Sequence, residues 1–360
     1  MHKIDTELIT KFNEKINSNS YFVLHKYRDI ENKNKWSIIC SCMDWISVAL
    51  TNVNNIKEDN LDINRKSMQV FSYISSIDII YEAINQLHRV IVDENSIPFK
   101  NNVTIFTNNT LDKDDNEYFK HIRSIFGAHP VNIKDENGKL FASWPYDSHT
   151  KDYDLQVSLY SNNVGQNDIT FGIKFSELHE FLYQRYTYLN TIIDNIDIQY
   201  DKYIAQKKSQ LIEKNENITQ QLEILQHEAK DRLNNEYYTS TIDDLLQLFD
   251  TNDLLEDNIE SQYRKELTKV IDEIFRNLQE MNIVDLSTHN IIYPDYSPSL
   301  TYEISKLLPI LSLGNNDPMF SYYIKRINNE SNKQIIIDEE DSYNLIFLKI
   351  KTIMYYKMWA

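Results

Sequence analysis

Only 5 glycines and 7 prolines occur in this chain of 360 residues. Glycine supplies the left-handed backbone that tight turns need, and proline interrupts hydrogen-bonded elements. A barrel, a sandwich or a Gly-rich phosphate-binding fold would need more turn residues than this. The scarcity therefore predicts long, uninterrupted helices and a mainly α fold. At 41% hydrophobic and 25% charged residues the chain can bury sizeable cores, and its length suits two or three domains.

Hydrophobic spacing agrees with that expectation. Residues 4–17 place Ile4, Leu8, Ile9, Phe12 and Ile16 on one face. The run 36–53 is apolar all round and is expected to be a central helix. A longer run, 65–93, carries Met68, Phe71, Ile74, Ile77, Tyr81, Ile84, Leu87 and Ile91 along one stripe. A fourth helix is expected over about 115–127. It has Asp112, Asp114 and Asp115 as cap candidates, Gly127 just past its end and Pro130 enforcing the stop. The texture then changes. Segments 140–146, 153–161 and 169–175 alternate like strands and predict a small antiparallel hairpin or three-stranded sheet. A long helix over 176–212, with Ser176 in its N-cap region, and another over 217–236 are expected to form a helical hairpin. The remainder is helical by pattern, with one helix cut by Pro309. The expected organisation is a helical bundle at 1–139, a β element at 140–175, a helical hairpin at 176–239 and a helical domain at 240–360.

The formal charge of −17 argues against a protein that coats nucleic acid non-specifically. Any such contact needs a local positive patch. Cys40 and Cys42 are too close for an ordinary disulfide, and no other cysteine completes a zinc site. No nucleotide-binding loop, zinc-protease motif or nucleophile elbow is present, so no cofactor or metal is expected. No signal peptide or apolar run of 18 residues stands out, and the expected location is the cytoplasm, with no membrane contact.

One stretch carries chemistry: "EYFKHIRSIFGAHPVNI", 117–133. Arg123 lies near the end of the fourth helix and His129 in its exit turn. Chance alone supplies about one such pair in a chain of this composition, so the spacing is uninformative by itself. The context matters more. RNA carries its own nucleophile, the 2′-OH. Cleavage needs a base, an acid for the leaving 5′-oxygen and positive charge on the phosphate oxygens. His129 can move the protons and Arg123 can hold the phosphate, without a metal. The bland alternative is that His129 satisfies the last helical carbonyls and Arg123 pairs with Glu117, Asp78 or Glu82. Asp78 can orient either residue from beneath. His88, with Arg89, can line the same groove, although a surface position is the default for both.

The string "YFKHIRSIFGAHPVN" and the helices before it resemble the HEPN superfamily. These are all-helical domains, and many are metal-independent ribonucleases with an Arg-x(4–6)-His motif at the end of a bundle helix. The likeness extends to uncharacterised HEPN-like proteins of low-GC Gram-positive bacteria and covers about residues 36–135. It implies Arg123 and His129 as catalytic residues, RNA such as tRNA or mRNA as substrate, and a homodimer that brings two motifs together. It further implies a role in phage defence or toxin-like growth arrest, with a regulatory or inhibitory protein as partner. The residue after the arginine is often Asn, Asp or His in active members; here it is Ser124, a further supporting candidate.

Other features have plainer readings. His121 is expected to be solvated. Trp144, Tyr146 and Tyr153 can stack on bases, but core packing is their default. The basic stretches "KKSQLIEK" and "FLKIKTIMYYK" read as solvated helix faces. A non-catalytic dimerisation or RNA- or protein-binding scaffold is the alternative to the nuclease.

Overall fold

The computed structural model describes residues 3–358 except 19, 29–31, 57–61, 110, 136–137, 148–151, 234–235, 251–257, 283 and 315–316. The fold is mainly helical with one small antiparallel sheet. Contacts divide the chain into two compact units, Met1–Asp201 and Lys202–Ala360. The bundle expected at 1–139 and the β element expected at 140–175 thus belong to one body, and the dividing line falls inside the expected hairpin at 176–239.

In the first unit the helices are α1 (Glu7–Ser18), α2 (Ser20–Tyr27), α3 (Lys35–Asn54), α4 (Ile63–Ile91), α5 (Asp115–Arg123) and α6 (Phe175–Thr187); α7 (Leu189–Ser209) begins here. α4 starts because the Asp62 carboxylate accepts from the Asn64 and Arg65 N–H groups. It buries Ile74, Ile77, Tyr81, Ile84, Leu87 and Ile91 of the expected stripe, each contributing roughly 1.5–3 kcal/mol. Met68, at the stripe's start, is exposed. α3 departs from expectation. It buries Ile39, Cys42, Ile46, Ala49, Leu50 and Val53, while Ile38, Trp45 and Val48 face outward. It is therefore a peripheral helix with an apolar outer stripe. By length and composition it is also apolar enough to cross a membrane, with a third of its window buried.

The sheet has four strands, β1 (Ile133–Asp135), β2 (Gly138–Ala142), β3 (Leu155–Ser161) and β4 (Ile169–Ile173), paired antiparallel in chain order. Three residues are too few for a visible alternation, so β1 escaped sequence reading. Leu155, Val157 and Leu159 of β3 are buried. Gly172 is required, because a Cβ there would lie 2.2 Å from the Tyr153 ring. The long helix expected over 176–212 is broken at Tyr188 into α6 and α7. Nor does Ser176 cap it: the Phe175 N–H donates to the Asp154 carboxylate at 2.7 Å. The sheet thereby fixes where α6 begins.

The second unit contains the end of α7, then α8 (Ile218–Arg232), α9 (Glu236–Phe249), α10 (Ile259–Gln279), α11 (Thr301–Leu313), α12 (Phe320–Glu330) and α13 (Tyr343–Tyr355). α8 packs against α9 and α10, and its C-terminal end meets that of α7, where the Tyr203 hydroxyl donates to the Arg232 carbonyl at 2.7 Å. That geometry is not a simple α7–α8 hairpin. α11 runs through Pro309 and ends at Gly314, whose φ of +66° suits a left-handed cap. Burial of Leu307, Ile310 and Leu311 offsets the hydrogen bond that the proline forfeits.

Candidate active site

α5 is capped by Asp114, whose carboxylate accepts from the Glu117 N–H at 2.9 Å. The neighbouring Asp115 is buried and accepts from the backbone N–H groups of Thr104, Ile105 and Phe106 at 3.0–3.4 Å. One acidic pair thus starts the helix and organises the loop before it. Tyr118, Phe119 and Ile122 are buried. The Phe119 ring stacks on Phe181 of α6 at 4.4 Å, and Tyr81 of α4 meets Phe119 edge-on at 6.1 Å.

The α-helical hydrogen bonding ends at Arg123, four residues before the expected end at Gly127. A π turn continues the coil through Ser124–Ala128. Gly127 therefore lies inside a helical turn and is no left-handed cap. The π turn closes where the His129 N–H donates to the Ser124 carbonyl at 3.0 Å. Such turns are costly and concentrate at functional sites. This one is paid for by its anchors: Ile125 and Phe126 are buried, and Phe126 packs against Phe171 of β4 at 6.3 Å. The exit is also pinned. The Asn132 N–H donates to the His129 carbonyl at 3.0 Å, and the Ala142 N–H of β2 donates to the Pro130 carbonyl at 2.7 Å. The small sheet is consequently a clamp on the histidine turn.

Arg123 and His129 stand at the two ends of this π turn, both exposed. The Arg123 Nε meets the Asp78 carboxylate of α4 at 2.8 Å. Among the described residues no second acceptor pairs with that guanidinium, so its outer edge remains available to a ligand. Asp78 is mostly covered; burial raises its pKa from the ordinary carboxylate value, Arg123 opposes that rise, and Glu82 adds to it. One turn earlier Lys120 faces Glu82 at 3.8 Å and lies over the Tyr81 ring at 5.6 Å. α4 and α5 are therefore joined by two ion pairs, with the tighter one at the site. The His129 side chain has no hydrogen-bond or ion-pair partner among the described residues. Ser124 contributes its backbone carbonyl to the turn.

No family model matches the chain. Neither does any curated protein or any solved structure.

The remaining sequence candidates fall elsewhere. His88 is buried, not at the surface, and lies ten residues along α4 from Asp78, about 15 Å of helix. Its ring nitrogens meet the Tyr188 hydroxyl at 2.9 Å and the Ser96 hydroxyl at 2.8 Å, and burial lowers its pKa. It is a satisfied core histidine. His121, expected to be solvated, packs edge-on against Phe171 at 5.3 Å. Trp144 is exposed, against the expectation of core packing, and touches Phe71 edge-on at 5.8 Å. Tyr146 pairs with the Ser158 hydroxyl at 3.1 Å. Among the described residues no group of three or more His, Cys, Asp or Glu is placed to hold a metal ion.

Sequence reasoning missed the buried cations, among them Arg185 and Lys351. Arg185 of α6 is 1% exposed, and its guanidinium lies between Phe181 at 3.9 Å and Phe99 at 4.6 Å. It donates to the Asn116 side chain at 2.8 Å and to the Gln184 side chain at 3.4 Å, while its Nε has no partner among the described residues. Burial pushes its pKa down to about 10. Lys351 of α13, read as part of a solvated face, is 3% exposed. Its ammonium donates to the Ile292 carbonyl at 2.8 Å and lies over the Tyr293 and Phe347 rings at 4.9 and 5.2 Å. Burial pushes its pKa down to about 8, against the attraction of Asp244. A lysine at helical spacing gives no sign of burial; only the tertiary packing does.

Proposed function

We propose that this chain is a metal-independent endoribonuclease that cleaves RNA through attack of the 2′-OH on the adjacent phosphate. The observation that carries the reading is a pinned π turn with exposed Arg123 at one end and exposed His129, unpartnered among the described residues, at the other; the Arg123–Asp78 pair is one that the bland alternative also expects. Asp78 fixes the guanidinium through Nε and leaves its outer nitrogens for phosphate oxygens, an arrangement suited to bidentate binding. In this reading His129 takes or gives the proton. The HEPN resemblance supports the same assignment, and the defence or toxin role rests on that resemblance alone.

One arginine and one histidine form half of an acid–base pair. A homodimer related by a two-fold axis would supply both. The exposed stripe Ile38, Trp45 and Val48 on α3 favours a protein contact in the same unit. It equally suits the second reading, a non-catalytic scaffold. Expression of the wild type should slow growth of its host, and Arg123→Ala should relieve the effect. Purified protein in excess EDTA should fragment a tRNA pool or total RNA. Cleavage retained in both Arg123→Ala and His129→Ala would sink the nuclease assignment.

A further inference from the structure

The stretch "KKSQLIEK" was read as a solvated face, but the second unit uses it differently. Its last residue, Lys214, lies on the segment that joins α7 to α8, and that segment is stapled in place. The buried Arg232 guanidinium donates to the carbonyls of Lys207 at 2.7 Å and Gln210 at 2.6 Å, with Glu228 as its counter-ion at 2.5 Å. The Ile212 N–H donates to the Gln279 side chain of α10 at 2.9 Å, and Gln279 returns a bond to the Lys208 carbonyl at 2.8 Å. The buried Gln221 accepts from the Asn215 N–H at 2.8 Å and donates to the Glu213 carbonyl at 3.3 Å. Holding a loop this firmly costs conformational entropy, and here it fixes Lys214 opposite one face of α10.

Between them lies a cleft of about 670 Å³, within the roughly 300–1,000 Å³ typical of small-molecule sites. Lys214, Lys269 and Arg276 line it, against one lining carboxylate among the described residues, Asp272. Lys269 and Arg276 are seven residues apart on α10, so they share a helix face. Lys269 is paired with Glu266 at 2.6 Å. Neither Lys214 nor Arg276 has a carboxylate partner among the described residues. Lys214 rests instead over the half-buried Phe275 ring at 5.3 Å, and the Arg276 Nε donates only to the backbone carbonyl of Asp272 at 3.3 Å. Ile218, the first residue of the 15-residue α8, also lines the cleft, which brings the positive end of that helix to its rim. Lys214 and Arg276 thus bring to a cleft beside the Phe275 ring positive charge that no described carboxylate pairs with, in a chain of charge −17.

We propose that this cleft binds a nucleoside phosphate. Lys214 and Arg276 hold the phosphates, and the base takes the Phe275 face that Lys214 now covers. The site is independent of the Arg123–His129 reading, so either assignment can fail without the other. The test is isothermal titration of the full chain with ATP, with adenosine and with inorganic tripolyphosphate. ATP should bind saturably, and tripolyphosphate should compete with it. Lys214→Ala and Arg276→Ala should each weaken ATP by about tenfold, a loss in line with removing one charge-assisted contact. Lys306→Ala, a cation on α11 outside the cleft, should leave binding unchanged. Phe275→Leu should weaken ATP but not tripolyphosphate. Absence of saturable ATP binding, or binding equal in wild type and Arg276→Ala, would overturn the site. Equal ATP affinity in Phe275→Leu would overturn the nucleotide assignment.

Discussion

Arg123 and Arg185 belong to the same unit, sit on helices that share the Phe119–Phe181 stack, and are treated in opposite ways. Arg123 is half exposed and keeps a carboxylate, Asp78, at 2.8 Å. Arg185 is 1% exposed and has two aromatic faces and two amides, Asn116 and Gln184, in place of a carboxylate. A guanidinium is always charged and costs several kcal/mol to bury even when it is partly compensated. The fold accepts that cost at Arg185 to join α6 to Asn116 of α5 and to Phe99 of the preceding loop. At Arg123 it avoids the cost and leaves the charge facing outward. One arginine is thus tied to stability and the other is available for a ligand.

The sharpest way to break this contrast is to remove each side chain and read both activity and stability. Arg123→Ala and His129→Ala should each lower RNA cleavage by at least about 100-fold, the usual contribution of a positioned proton-transfer or phosphate-binding group. Their stabilities should fall by less than about 2 kcal/mol, because both side chains are exposed and only the mostly covered Asp78 loses a partner. Arg185→Ala should do the reverse to the fold and destabilise the first unit by about 3 kcal/mol or more, as large-to-small core changes do. Arg185→Met keeps the bulk without the charge and should recover at least half of that loss. If Arg185→Ala unfolds at the wild-type midpoint, the buried cation is not the tie described above.

Asp78→Asn sharpens the comparison at the site. It keeps shape and removes the counter-charge, so Arg123 is no longer held through Nε. Cleavage should fall by about tenfold with stability changed by less than about 1 kcal/mol. The weakening should appear mainly in KM, and Asp78→Glu should restore part of it. A pure structural role would instead lower the midpoint and leave KM alone.

The smallest effect concerns the second unit. Lys351 is held near pKa 8 when folded, below its ordinary value of 10.5. Between those two values the unfolded chain binds the proton that the folded chain does not. Stability of the second unit should therefore rise with pH from about 8 towards 10, before the tyrosines titrate. Lys351→Met should flatten that rise. A wild-type stability that falls over the same interval would contradict it.

The sequence made much of this legible. The apolar stripe of α4 and the strand alternation at 153–161 follow from local spacing; the sequence narrows the cap to Asp112, Asp114 or Asp115 and the partner of Arg123 to Glu117, Asp78 or Glu82, and packing makes the choice. What it hid depends on tertiary contact. The π turn needs Phe126 on Phe171 and the Pro130 carbonyl on β2, and neither has a local signature. β1 has only three residues. The burial of His88, Arg185 and Lys351 is decided by helices distant in sequence, and the outward face of α3 by how few neighbours cover it. In sequence Lys214 is one cation in a basic run, and only the contacts of Arg232 and Gln279 show that its loop is held.

The most direct test of the account uses a short synthetic RNA that the wild type cuts, in excess EDTA, with the product ends identified by mass. The prediction is a 2′,3′-cyclic phosphate on the upstream fragment, no cut when the ribose at that position is replaced by 2′-deoxyribose, and intact RNA with His129→Ala. Products with a 3′-hydroxyl, or cleavage that persists at the deoxy position or in His129→Ala, would contradict 2′-OH chemistry at the Arg123–His129 turn.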